Sequence, residues 1–233
     1  MSVSCPADFL LDRVLYRDGL MLVIDKPAGL PVHAGPGGGD NLENYFDALR
    51  FGLPKPPALA HRLDRDTSGC LVLGRHPKAL RKLGKLFVDG KVEKTYWAVC
   101  RGEPEKPSGS IDAPLRKETA RRNWRMTIAK SDDETALQAR TTYRVLGQKD
   151  GLSFIEAKPK TGRTHQIRVH LASIGAPILG DPFYGSLTAF EREGPMMLHA
   201  RRVVIPISKN KDPVAVEAEP PEAMAAILDR MRP

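Results

Sequence analysis

Two short runs of the chain concentrate the groups that can do chemistry. The first is His61-Arg62-Leu63-Asp64-Arg65-Asp66-Thr67-Ser68-Gly69, which brings together two carboxylates, two guanidiniums, an imidazole and two hydroxyls. Asp66, Thr67 and Ser68 before a glycine are what a tight turn uses to satisfy its own amides, which accounts for the back half of the run. It does not account for Asp64, which stands among arginines. Nearby cations hold a carboxylate ionised, so Asp64 suits a nucleophile or a base and not a general acid.

The second run is Thr161-Gly162-Arg163-Thr164-His165-Gln166-Ile167-Arg168-Val169-His170. Thr164 is positioned to cap a helix over 165–174 that Gly175 ends. On that helix Ile167, Leu171 and Ile174 make the buried face, and His165, Arg168 and Ala172 form the stripe beside it. Arg168 is thus next to the apolar face, a costly place for a cation without a paired carboxylate. Arg163 and Thr164 fall at the helix start, where free amides and the dipole favour an anion such as phosphate. His165 and His170 do not read as metal ligands: five residues apart, they point about 140° apart on a helix and to opposite faces of a strand. A third run, Lys94-Thr95-Tyr96-Trp97-Ala98-Val99, reads as a strand whose aromatics either pack in a core or stack on a base.

The elements that must hold these runs follow from periodicity and turn residues. Strands are expected over 14–16 and 20–25 around the Asp18-Gly19 turn, over 71–74, over 95–100, and over 141–146 and 153–158 around Asp150-Gly151. Two more are expected over 202–207 and 214–217. Asn41 or Asp40 caps a short helix to Leu49, and Pro77 opens a helix to about Asp89 with Leu80, Leu83 and Phe87 as its apolar stripe. A last helix starts near Glu222. Residues 61–69 then form a loop over a sheet edge, where reactive groups are commonly carried by a rigid scaffold. The glycines at 35 and 37–39 do not make a phosphate loop, because no strand leads into them and no Gly-Lys-Ser/Thr closes them. Many strands, few helices and no regular βαβ alternation indicate an α+β fold with a largely antiparallel mixed sheet flanked by helices and loops.

Composition narrows the partner. The 233 residues include 36 Lys and Arg against 28 Asp and Glu, a formal net charge of +8. That surplus suits a polyanion, since each cation that meets a phosphate releases condensed counterions. The segment 116–130 is strongly basic, with Arg121, Arg122 and Arg125 around Trp124. Cys5, Cys70 and Cys100 form no CxxC pair, so neither a disulfide framework nor a zinc knuckle is expected. The first ten residues lack the pattern of a signal peptide, and no apolar run reaches the roughly 20 residues of a membrane span. A reduced, cytoplasmic protein is expected.

Taken together, the runs at 61–69, 94–99 and 161–170 resemble the RluA-type pseudouridine synthases. VIDKPAGLPVH at 23–33, ILGDPFYG at 178–185 and LHA at 198–200 share the resemblance, which extends over about residues 12–220 in the family's order. It implies a pseudouridine-synthase fold, with residues 1–233 as a single catalytic domain that isomerises uridine in rRNA or tRNA. The catalytic aspartate is then Asp64, the cation that salt-bridges it is Arg168, and the tyrosine packed against the target uracil is Tyr96. Neither metal nor organic cofactor is implied. Arg62, Arg65, Arg163, Thr164 and His165 are the candidates for touching RNA, and Arg62 has the planar group to fill the stack that a flipped base vacates. Many relatives carry an N-terminal RNA-binding domain. The first strand here begins too close to Met1 to leave room for an S4-type domain, so the catalytic domain, and the 116–130 segment in particular, is expected to recognise a structured RNA stem-loop as a monomer.

Two other readings compete. A non-catalytic basic RNA-binding protein of the same fold explains the charge but not an aspartate among arginines. A glycosidase using Asp64 and Asp66 needs one carboxyl with a raised pKa, which the arginines oppose.

Overall fold

The computed structural model describes residue 6 and residues 8–35, 38–120, 123–130, 133–185, 194–208 and 210–231. The chain divides into two units, Met1–Lys94 with Ala200–Pro220, and Thr95–His199 with Pro221–Pro233.

In the first unit, β1 (Val14–Arg17) and β2 (Met21–Lys26) form an antiparallel hairpin. Its turn is held by Asp18, whose Oδ1 accepts from the amides of Leu20 at 2.7 Å and Met21 at 2.8 Å. The helix expected before Leu49 is present as a 3-10 helix, Leu42–Leu49, with Asn41 as its cap. A two-residue strand β3 (Ala58–Leu59) pairs with β4 (Ser68–Gly74). β4 is buried along its whole length and starts three residues earlier than its apolar run, because Gly69 and Cys70 already pair with Lys26 and Asp25. α1 (Pro77–Val88) begins at His76, whose Nδ1 accepts from the Ala79 amide at 3.2 Å. Of its expected stripe, Leu83 is buried in a cluster with Met21, Val23, Val72 and Val92, and Phe87 lies against that cluster together with Leu86. Truncating a side chain such as Leu83 to alanine in this core costs about 2–5 kcal/mol.

The second unit carries β5 (Glu93–Arg101), β6 (Ser108–Asp112), β7 (Leu115–Ala120), β8 (Asn123–Ile128), β9 (Arg140–Lys149) and β10 (Leu152–Pro159). The order β5-β10-β9-β6 is antiparallel at each step, and β7 with β8 makes a separate hairpin. α2 (Gln166–Ser173) follows. The chain then returns to the first unit through β11 (Leu198–Ile205) and β12 (Val214–Glu217), which extend the order β1-β2-β4-β11-β12. α3 (Glu222–Met231) ends in the second unit with Met224 and Leu228 buried. The fold class is the expected α+β, with few helices on largely antiparallel strands.

Candidate active site

The first unit holds the Asp64 loop, fastened by buried groups on either side of the carboxylate. His61 is half-buried: its Nε2 accepts from the Val72 amide at 3.0 Å and its ring stacks on Phe87 at 4.4 Å. Burial, with the Lys94 charge adding to it, pulls its pKa down to about 3. Leu63 is a buried anchor, while Asp64 itself is half-buried and the Arg62 side chain is exposed. After Asp64 the chain turns, with the Thr67 amide bonding the Asp64 carbonyl at 3.2 Å. Thr67 and Ser68 are buried, and Gly69 follows at φ +103, where a Cβ would collide with the carbonyl of Ala200. The turn-forming role expected of 66–69 thus holds.

Lys26 ties this loop down from β2. Its side chain is withdrawn from water, and its Nζ donates to the carbonyls of Pro27 at 2.6 Å and Arg65 at 2.8 Å. The Arg65 carbonyl also accepts from the Gly29 amide at 3.0 Å. Burial lowers the Lys26 pKa to about 8, opposed by the charges of Asp66, Asp64 and Asp25. The Arg65 side chain is 61% exposed and pairs with Asp66 at 2.9 Å, so it is only partly available to RNA. Sequence reasoning missed Lys26, whose one signal is a lysine between an apolar strand and Pro27.

In the second unit, Arg168 is buried within α2, and its counter-charge there is Asp181. Nε donates to Asp181 Oδ2 at 2.7 Å and Nη2 to Oδ1 at 2.8 Å, with side-chain exposures of 3% and 0%. This fork-to-fork pair answers the cost of burying the cation. Asp181 Oδ1 also accepts from the Phe183 amide at 2.8 Å. The rings of Phe183 and Tyr184 stand 5.3 Å and 5.2 Å from the guanidinium carbon. Gly180, at φ +77, lies so close to the Pro195 carbonyl that no side chain fits. Tyr96, on β5, is 9% exposed and pairs in register with Ala157. The ILGDPFYG run is therefore structural support for Arg168.

The start of α2 departs from expectation. Thr164 is not the cap: the helix begins at Gln166, and His165 occupies the cap position in the left-handed region at φ 52 with no capping bond. The reason is the Gln166 carboxamide. It accepts from the Arg163 amide at 3.0 Å and the Thr161 hydroxyl at 2.6 Å, and it donates to Arg140 O and Thr141 Oγ1, both at 3.0 Å. The Arg163 amide expected to meet a phosphate is thereby taken up internally. The exposed Arg163 side chain gives its Nε to Gln138 O at 3.0 Å. His170 is buried with both ring nitrogens engaged, to Thr141 Oγ1 at 2.8 Å and Ala113 O at 2.9 Å, and desolvation lowers its pKa.

His165 meets Tyr184 and the basic hairpin. Its Nδ1 shares a 2.7 Å hydrogen bond with the Tyr184 hydroxyl, which accepts from the Met126 amide at 3.0 Å. Its ring stacks on Trp124 at 5.2 Å. Arg121 and Arg122 of the basic segment lie outside the described residues, and Arg125 pairs with Glu118 at 2.9 Å. Among the described residues no cluster of His, Cys, Asp or Glu fits a metal ion, and no helix is long and apolar enough to cross a membrane.

The family of RNA pseudouridylate synthases matches residues 20–173 of this sequence. The chain belongs to that family. It is 46% identical over 216 residues to an uncharacterised RNA pseudouridine synthase of Zymomonas mobilis, covering 92% of this chain and 96% of that protein. It is 35% identical over 244 residues to ribosomal large subunit pseudouridine synthase D of the same organism, covering 96% and 73%. Human RNA pseudouridylate synthase domain containing 4 superposes with a TM-score of 0.82 at 28% identity, over 97% of this chain and 95% of that one. The chain is thus an RluA-type RNA pseudouridine synthase, an isomerase acting on RNA.

Proposed function

We propose that Asp64 is the catalytic carboxylate of this pseudouridine synthase, that Tyr96 and Arg168 serve the same reaction, and that the substrate is a stem-loop of rRNA or tRNA. The reaction breaks the bond from ribose C1′ to uracil N1, turns the base, joins C5 to C1′, gives up the C5 proton and protonates N1, so that product and substrate are isomers. Asp64 supplies an electron pair at the ribose, and Tyr96 packs against the uracil. The detached base stays caged and recombines, which is a gain of proximity and not of acid strength. A paired base is out of reach of such chemistry, so the target is flipped at a cost of about a few kcal/mol, least in a loop. The exposed side chain of Arg62 is the group offered to the vacated stack.

The observation that carries the reading is the mounting of Asp64. A half-buried carboxylate rides on a loop whose neighbours Leu63, Thr67 and Ser68 are buried, whose His61 ring is bonded to the Val72 amide, and whose backbone is held by Lys26. A loop that only bound phosphate would gain nothing from fixing a carboxylate in this way. The family match over residues 20–173 runs through both units, which supports one catalytic domain. We further propose that the enzyme works in the cytoplasm, as a monomer and without metal or cofactor. Mapping pseudouridines in the rRNA and tRNA of cells lacking the protein tests the substrate class. Loss of one or a few sites in stem-loops is expected, and an unchanged map contradicts it.

A further inference from the structure

We infer that Trp124, His165 and Phe183 form an aromatic ledge that stacks unpaired nucleotides of the RNA substrate. The inference rests on the RNA-modifying reading above and specifies what the second unit recognises. Trp124 and Phe183 are large apolar side chains left 40% and 50% exposed. They are neighbours through His165, whose ring lies 5.2 Å from Trp124 at an interplanar angle of 22° and 5.7 Å from Phe183 at 43°. Three rings in series with two outer ones open to water are more than scattered surface hydrophobes.

The ledge is braced by hydrogen bonds. His165 is held by the Tyr184 hydroxyl, and that hydroxyl is held by the Met126 amide of the same hairpin that carries Trp124. Little ordering entropy is then lost on binding. A cation lies beside the outer ring: the Lys117 ammonium is 5.0 Å from the Trp124 ring centre. The nearby Glu118 does not repel a phosphate strongly, because Arg125 and Arg116 stand 2.9 Å and 3.6 Å from it. Exposed rings with a cation beside them are the arrangement by which unpaired nucleotides are held, bases on π-faces and phosphates on the cation. A duplex, with its bases already stacked, has no face to offer. The ledge therefore favours loops over stems, without regard to base identity.

The test uses the full chain with Trp97→Phe, which leaves Trp124 as the sole tryptophan. Titration with single-stranded oligouridylate is expected to quench Trp124 emission, and a blunt RNA duplex of equal length is expected to do so only weakly. Phe183→Leu, which keeps apolar cover over Arg168, is expected to weaken oligouridylate binding about tenfold, the effect of losing one stacked base. Phe183→Tyr is expected to restore it, and Leu146→Ala, at an exposed position on β9, to leave it unchanged. With a stem-loop substrate, Phe183→Leu raises KM more than it lowers kcat. Equal quenching by duplex, or undiminished oligouridylate binding in both Phe183→Leu and Trp124→Leu, overturns the ledge while leaving the synthase reading intact. Quenching and its loss on substitution, in a protein that isomerises no RNA, supports the ledge and counts against that reading alone.

Discussion

Arg168 and Asp181 face each other through two parallel hydrogen bonds of 2.7 Å and 2.8 Å, with both side chains withdrawn from water. The pair fixes the guanidinium in direction as well as place, because the planar fork tolerates little rotation. Asp181 is itself held by the Phe183 amide, so Arg168 is positioned by the turn that follows Gly180.

Removing one partner is predicted to cost far more than removing both. Asp181→Asn removes the charge on the carboxylate that holds the buried guanidinium through two hydrogen bonds and lowers stability by about 3–5 kcal/mol. The double change Arg168→Met with Asp181→Leu recovers much of that loss, since an apolar pair of similar volume is often no worse than a buried ion pair. Thermal unfolding measures the recovery, and tritium release from C5-labelled uridine in RNA should show the double variant inactive. An active double variant would make the pair purely structural.

Lys26 is predicted to set the rate through the Asp64 loop. Lys26→Met strips the Pro27 and Arg65 carbonyls of a donor, which costs roughly 1–3 kcal/mol of stability. A loosened loop lowers kcat by about tenfold or more, because misplacement by an ångström is enough for that. RNA affinity should stay within about threefold, since Lys26 is buried and touches no solvent. A variant with normal kcat and weakened binding would contradict the assignment.

His61 gives the fold an acid-sensitive term whose sign is fixed by its lowered pKa. The folded state keeps this imidazole neutral down to about pH 3, whereas the unfolded chain protonates it near 6.5. Between those values the unfolded state binds the extra proton, so the stabilisation present above pH 6.5 is lost as pH falls, by up to about 1.4 kcal/mol per pH unit. His61→Gln should flatten the dependence of unfolding free energy on pH between 6 and 4 by about one proton. Identical slopes in wild type and variant would show that His61 does not remain neutral in the fold.

How far the sequence could be read depended on whether a signal was local. The hairpins at Asp18-Gly19 and Asp150-Gly151, the α1 stripe and the turn at 66–69 all follow from residues within a few positions of each other. β6 was not anticipated, since Ser108–Asp112 buries Ile111 alone and shows no alternation. β4 starts early because its first residues take their partners from β2, a long-range pairing. The helix starts at Gln166 and not after a Thr164 cap, because Gln166 folds back onto Thr161 and Arg163, a competition between side chain and backbone that propensity does not register. The need for a carboxylate beside Arg168 was legible, but Asp181 as a partner was not: it comes from a loop thirteen positions on, after a turn only Gly180 permits.

The role of Asp64 is tested most directly by Asp64→Asn, assayed for tritium release from C5-labelled uridine in RNA beside a measurement of RNA affinity. The side chain is nearly isosteric but cannot supply the electron pair. The predicted result is loss of release with affinity kept within about tenfold, the range left when a group acts on the reaction and not on binding. Sustained tritium release by the asparagine variant would contradict it.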